Sequence, residues 1–273
     1  MKIKELIGSA YQTIGLGLIN TLARNGAYKV HKNIAYGDKT RNRLDYYQVK
    51  GEQKRSTVLF LYGGSWNSGS KDTYRFVADT LTSHGLDVVI PDYRLYPQVR
   101  FSEIQSDVVA AAEWVASNTV EPIFVIGHSA GAQLGALLCL NKGLLDLQTV
   151  EKIKGFVGLA GPYDFYPFTE EEHWDLFSPE ERYPESQAVN YVRPDGPPMY
   201  LLHGEDDTRV RRGHSKSLME KIQAEGGHAA REVYANMGHV DIIMGFTLLH
   251  RRTSPVIRDI IQFLTNGVNY GAK

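Results

Sequence analysis

Gly127-His128-Ser129-Ala130-Gly131 is the stretch of this chain best equipped for chemistry. It fits G-x-S-x-G, directly follows the apolar run 123–126 and opens the Ala/Leu-rich stretch 132–140. That is a strand–turn–helix setting, in which a serine hydroxyl stands exposed on a sharp turn. The glycines permit the turn with close backbone approach, and the helix N-terminus beneath it favours developing negative charge. A serine at its ordinary pKa is a weak nucleophile and needs a base that is itself oriented by a carboxylate. In this setting the partners follow in the order serine, acid, histidine, on loops after later strands.

Both partners are present in that order. The apolar run 199–202 leads into His203-Gly204-Glu205-Asp206-Asp207-Thr208-Arg209-Val210, and the strand-like run 231–234 leads into Asn236-Met237-Gly238-His239. Of nine histidines, His239 alone combines a preceding glycine, a loop position and a preceding strand. His203 reads as a structural hydrogen-bonding group. His128 adjoins the serine, but adjacent side chains at a tight elbow diverge, so it is expected to line the pocket. For the acid, Asp206 and Asp207 are neighbours that cannot both face the histidine. Asp164, in Gly161-Pro162-Tyr163-Asp164, is a third candidate that reads as a turn-capping aspartate. Acyl transfer also needs donors aimed at the oxyanion. The loop Gly63-Gly64-Ser65-Trp66-Asn67-Ser68-Gly69-Ser70 follows the apolar run 57–62 and is placed to supply one backbone N–H, with Ala130 supplying another. It lacks the G-x-x-x-x-G-K-[ST] spacing of a phosphate cradle. Cys139, among leucines on the helix after the serine, reads as a buried inert thiol.

The elements that must hold these residues alternate in type. Short runs at 34–36 and 44–49 precede apolar runs at 57–62, 87–91, 123–126, 156–159 and 199–202, which read as fully buried parallel strands. Between them lie helical patterns, such as Ile104, Val108, Ala111 and Val115, or Val256, Ile260 and Phe263 after Pro255. The alternation predicts an α/β fold with a mostly parallel, doubly wound sheet and helices on both faces. One segment breaks the rhythm: residues 165–198 hold Phe168, Trp174 and Phe177, an acidic run and several prolines, and read as a small inserted cap. The expected organisation is one domain over 1–273, with an N-terminal amphipathic helical extension at 1–30.

Composition narrows the function classes. With 30 Lys+Arg against 31 Asp+Glu, the net charge of −1 gives no general attraction to nucleic acid or an anionic membrane. One cysteine excludes an internal disulfide and any multi-cysteine zinc or iron–sulfur site. Lys2 and Lys4 precede the fairly apolar stretch 6–23, but Ser9, Gln12, Thr13 and Asn20 interrupt it, and Leu6, Ala10, Ile14 and Leu18 form one apolar helical face. A cytoplasmic protein without a membrane span is expected.

The combination resembles the α/β-hydrolase superfamily, in its carboxylesterase-like branch of hormone-sensitive-lipase-type esterases and arylformamidases. The resemblance runs from about residue 34 nearly to the end. It rests on Leu44-Asp45-Tyr46-Tyr47, Gly63-Gly64-Ser65-Trp66, Asp92-Tyr93-Arg94-Leu95, Gly127-His128-Ser129-Ala130-Gly131-Ala132, the His-Gly-x-x-Asp-x-x-Val pattern of 203–210, and Gly238-His239. It implies Ser129 as nucleophile and His239 as base, selects Asp207 over Asp206 as acid, and implies Gly64, Ser65 and Ala130 as oxyanion donors. One position departs: the family often carries His before Gly-Gly, where this chain has Tyr62, a change expected to alter loop anchoring more than chemistry.

The expected function is a metal-free and cofactor-free serine hydrolase that cleaves short-acyl carboxylic esters through an acyl-enzyme. Trp66, His128, Phe168 and Trp174 are its candidate substrate-binding side chains. An arylformamidase-like amidase and a non-catalytic ligand receptor are the alternatives. A small-molecule ester is the expected partner, nucleic acid is not, and a homodimer is held open as an assembly.

Overall fold

The computed structural model describes residues 28–51, 56–120 and 122–266. Eight strands form one sheet: β1 (Tyr28–Ala35), β2 (Arg43–Val49), β3 (Thr57–Leu61), β4 (Asp87–Pro91), β5 (Ile123–His128), β6 (Ile153–Leu159), β7 (Met199–Gly204) and β8 (Ala229–Tyr234). Their order is β1-β2-β4-β3-β5-β6-β7-β8. β2 pairs antiparallel with β1 and β4, and every other pairing is parallel. The central strands β3 to β7 are buried almost throughout, as strands covered on both faces must be. The edge strand β1 instead buries only Tyr28 and leaves its other residues exposed or half-buried.

Helices cover both faces: α1 (Arg75–Ser83), α2 (Phe101–Asn118), α3 (Ala130–Leu140), α4 (Leu147–Lys152), α5 (Glu171–Leu176), α6 (Gly213–Ala224), α7 (Asp241–Met244) and α8 (Pro255–Asn266). In α2 the periodic residues Ile104, Val108, Ala111 and Val115 are all buried. The helix begins at Phe101, where Glu103 accepts a hydrogen bond from the Arg100 N–H and closes the first turn. α3 is wholly buried and, apart from Gln133, apolar all round, the condition under which such a helix is stable. α8 starts on Pro255 and turns Val256, Ile260 and Phe263 inward, with Phe263 stacked on Tyr200.

The strand order carries the functional information. The chain runs from β3 outward to β4, then returns past β3 to β5, so the winding reverses between β3 and β5. Loops leaving the carboxyl ends of neighbouring strands at such a reversal diverge and open a crevice. Here those loops are Gly63 to Ser70 and Ser129. Residues 165–198 lie between β6 and β7 and contain α5 and short 3-10 turns at Glu180–Ser186 and Ala188–Tyr191. The expected N-terminal helix falls on residues 1–27, outside the described residues, and Tyr28, Lys29 and Val30 belong to β1 rather than to that extension. Among the described residues no helix is long and apolar enough to cross a membrane.

Candidate active site

β5 ends at His128, and the next residue, Ser129, turns the chain into α3 with φ 54° and ψ −122°. A non-glycine residue at positive φ is strained and needs its surroundings to hold it. Ser129 N–H donates to Leu159 O of β6 at 2.8 Å, extending the sheet ladder by one bond past β5. Side chains on either flank would destroy the turn: a methyl on Gly131 would overlap the Leu61 and Tyr62 carbonyl oxygens, and one on Gly127 would overlap Gly131. The sharpness of the elbow therefore dictates the glycines of G-x-S-x-G.

Ser129 Oγ lies 2.9 Å from His239 Nε2, and His239 Nδ1 lies 2.8 Å from Asp207 Oδ2. All three side chains are buried. With the carboxylate ionised, one tautomer satisfies both contacts: Nδ1–H donates to Asp207, and the bare Nε2 accepts the Ser129 hydroxyl. Asp207 is held from several sides. Its Oδ1 accepts the N–H groups of Arg209 and Val210, both at 2.9 Å, and its Oδ2 also faces His203 Nε2 at 3.2 Å. Burial alone would raise the Asp207 pKa, but the His203 and His239 donors outweigh it and hold the carboxyl well below the usual carboxylate range. His203 Nε2 also donates to Val210 O at 2.9 Å, the structural role expected of it. Asp206 instead faces solvent, its N–H bonded to Met237 O. The Asp164 carboxylate accepts from Ser217 Oγ.

The loop after β3 packs directly on the serine: a Cβ on Gly63 would stand 2.9 Å from Ser129 Cβ. Gly64, Ser65 and Trp66 all have positive φ (136°, 48° and 57°), and the turn closes with Asn67 and Ser68 N–H on Gly64 O at 3.0 Å. Among the described residues, the amides of Gly64, Ser65 and Ala130 donate to no acceptor. Tyr62 anchors this loop. It is fully buried, stacks on Tyr93 at 4.6 Å, and donates its hydroxyl to Asp92 at 3.0 Å. Arg41 donates to Tyr62 Oη at 3.1 Å and to Gly69 O at 2.9 Å, holding the far end of the loop.

The candidate substrate-binding residues occupy different positions. Trp66 is buried, stacked on Phe165 at 5.9 Å and edge-on to Phe177 at 5.2 Å. Phe168 is buried between Phe177, Trp174 and Tyr183, at 5.0, 5.2 and 5.1 Å. Trp174 is 39% exposed. The His128 ring, expected to line the pocket, is buried, and its Nε2 faces the backbone oxygen of His239 at 3.2 Å. Cys139 is buried within α3, and burial pushes its thiol up to about 12. Among the described residues, no three His, Cys, Asp or Glu side chains gather to hold a metal ion.

Two positioning residues escaped sequence reasoning. Gln133 accepts from Trp66 Nε1 at 3.1 Å and donates to Ser186 O at 2.7 Å, tying the β3 loop and residues 165–198 to α3. Its signal was there to be read: one long polar side chain in an otherwise apolar, buried helix must find partners. Arg41, in a turn before β2, carried no such mark.

Comparison with known proteins gives a consistent set. The family model described as BD-FAE matches residues 44–222. Isoprenylcysteine alpha-carbonyl methylesterase ICME of Arabidopsis thaliana is 29% identical over 247 residues, which cover 79% of this chain and 58% of that protein. The chain thus spans less than two thirds of that relative's length. A kynurenine formamidase of Drosophila melanogaster is 22% identical, covering 86% of this chain and 80% of its own length. The solved structure of esterase B from Lactobacillus rhamnosis superimposes with a TM-score of 0.77 over 97% of this chain and 93% of that one, at 18% identity.

Proposed function

The chain belongs to the BD-FAE family and has the α/β-hydrolase fold, and from that premise we propose that it is a serine hydrolase of short-acyl carboxylic esters. The observation that carries the proposal is the unbroken relay from Ser129 Oγ through His239 to Asp207, with contacts of 2.9 and 2.8 Å.

In this reading Ser129 Oγ attacks the ester carbonyl while His239 Nε2 takes its proton, and Asp207 stabilises the imidazolium that forms. The tetrahedral oxyanion is met by the amides of Gly64, Ser65 and Ala130. Collapse expels the alcohol, which receives the proton from His239, and leaves an acyl group on Ser129. Water, deprotonated by His239, then attacks the acyl carbonyl. The second tetrahedral intermediate releases the carboxylic acid and returns the proton to Ser129. Trp66, Phe168 and Trp174 are proposed to bound the acyl pocket. The close aromatic packing around Trp66 favours short acyl chains.

A second reading, an arylformamidase acting by the same steps, is favoured by the formamidase relative that matches over most of its length. Both are tested by measuring turnover of p-nitrophenyl acetate, butyrate and octanoate, and of an N-formyl aryl amide, by the wild type and by Ser129→Ala. The ester reading expects short esters to be preferred and Ser129→Ala to lose about a thousand-fold or more in kcat. Preference for the formyl amide would establish the second reading. Retained turnover in Ser129→Ala would overturn both.

A further inference from the structure

Resting on that reading of the site, we propose that His128 is a positioning residue for the base, gripping the main chain of His239 while Ser129 meets its side chain. Consecutive residues at the end of one strand thereby hold both ends of the same histidine. His128 Nε2 lies 3.2 Å from His239 O, and the two rings pack 5.1 Å apart. A carbonyl oxygen only accepts, so Nε2 carries the proton. Nδ1 is then bare, and among the described residues it has no hydrogen-bond partner. It lies against the start of the β3 loop, where a Cβ on Gly63 would come within 3.0 Å of it. Neither nitrogen is placed to relay a proton, so the imidazole acts here as a rigid donor of fixed reach.

Beyond the His239 side chain's bonds to Ser129 and Asp207, ties of this loop include Asp206 N–H to Met237 O at 2.9 Å and Gly238 N–H to Asp241 Oδ2 at 2.7 Å, both to neighbouring loop and helix residues. His128 ties it to the rigid centre of the sheet. The rigid end of β5 thus sets the distance between nucleophile and base, which a mobile loop alone would let wander. Neutrality suits the task. Burial, with His239 alongside, lowers the His128 pKa to about 3, so no second cation stands against the imidazolium formed during acyl transfer.

The test compares His128→Phe, which keeps the ring volume and loses the donor, with His128→Gln, whose amide reaches about as far as Nε2. His128→Asn, whose amide is too short, keeps the test available should the phenylalanine variant fail to fold. Ångström-scale misplacement of a catalytic group costs up to about a hundred-fold in rate. The proposal expects kcat to fall about ten- to a hundred-fold in the Phe or Asn variant, with KM within about two-fold, and to be largely restored in His128→Gln. Added to His239→Ala, His128→Phe should change the residual rate no further, because its effect passes through His239. The downfield proton resonance of the His239–Asp207 hydrogen bond should broaden in His128→Phe and persist in His128→Gln, a readout independent of turnover.

Raised KM at unchanged kcat would return His128 to substrate binding and overturn the proposal. Unchanged kinetics, or an equal loss in the His239→Ala background, would overturn it too. If wild-type turnover depends on Ser129, such failures count against the His128 assignment alone. If it does not, the proposed function itself falls.

Discussion

At the scale of single residues, chemistry follows from which of two similar neighbours is buried and satisfied. Asp206 and Asp207 differ by one position, yet Asp207 receives two backbone amides and faces two imidazoles while Asp206 faces water. Asp207→Asn presents an amide in place of a charged acceptor and destabilises the tautomer His239 needs, so kcat on a p-nitrophenyl ester should fall about a thousand-fold or more. Asp206→Asn should stay within about two-fold, and a comparable loss there would refute the assignment. His128 makes a pH prediction. Its folded pKa, about 3, lies below the ordinary 6.5. Between those values the unfolded chain binds a proton that the folded one refuses. Stability from this group is therefore complete above the unfolded pKa and drains away as pH falls toward the folded one. Urea denaturation from about pH 7 to about pH 5 should cost the wild type about 2 kcal/mol more than His128→Gln. Parallel pH curves would contradict the buried neutral imidazole.

At the scale of elements, the elbow, the β3 loop and the two later loops each depend on a strand end. Gly131→Ala drives a methyl into the carbonyls of Leu61, the last residue of β3, and of Tyr62 just beyond it, which cannot move aside without disturbing the β3–β5 pairing. A loss of about 3 kcal/mol or more in urea denaturation is expected, and a loss below about 1 would mean the elbow relaxes. This layer was largely legible in the sequence. Continuous apolar runs marked β3 to β7 because both their faces are covered, and Ser129 stands just past one of them, whereas His239 lies on the loop after the shorter strand-like run 231–234. The choice of Asp207 needed a family resemblance, since spacing treats two adjacent aspartates alike and only burial separates them. The orientation of His128 was not legible: that adjacent side chains diverge at an elbow was sound, but whether the second one points into a pocket or at a distant carbonyl depends on a partner 111 positions along the chain. Tyr62 was read as a change in anchoring, and its bonds to Asp92 and Arg41 give that anchoring its form.

At the scale of the whole molecule, Gln133 joins three parts: α3 behind the serine, the β3 loop through Trp66, and residues 165–198 through Ser186. Gln133→Leu strips both partners of their bonds in buried surroundings, at a cost of about 1–3 kcal/mol for each group left unpaired. If the aromatic cluster around Trp66 limits acyl length, the variant should raise the ratio of octanoate to butyrate turnover. Lower stability with an unchanged ratio would confine Gln133 to a structural role.

The strand order also has a consequence for biosynthesis. Ser129 and the β3 loop meet at the reversal between β3 and β5 in the first half of the chain, whereas His239 follows β8, the last strand among the described residues and an edge of the sheet. With Ser129 as the proposed nucleophile and His239 as its proposed base, a ribosome-bound chain would hold Ser129, the β3 loop and Asp207 before the group that activates the serine. On the proposed reading, hydrolytic competence would arrive only once the closing strand has docked, and turnover would double as a reporter of completed folding.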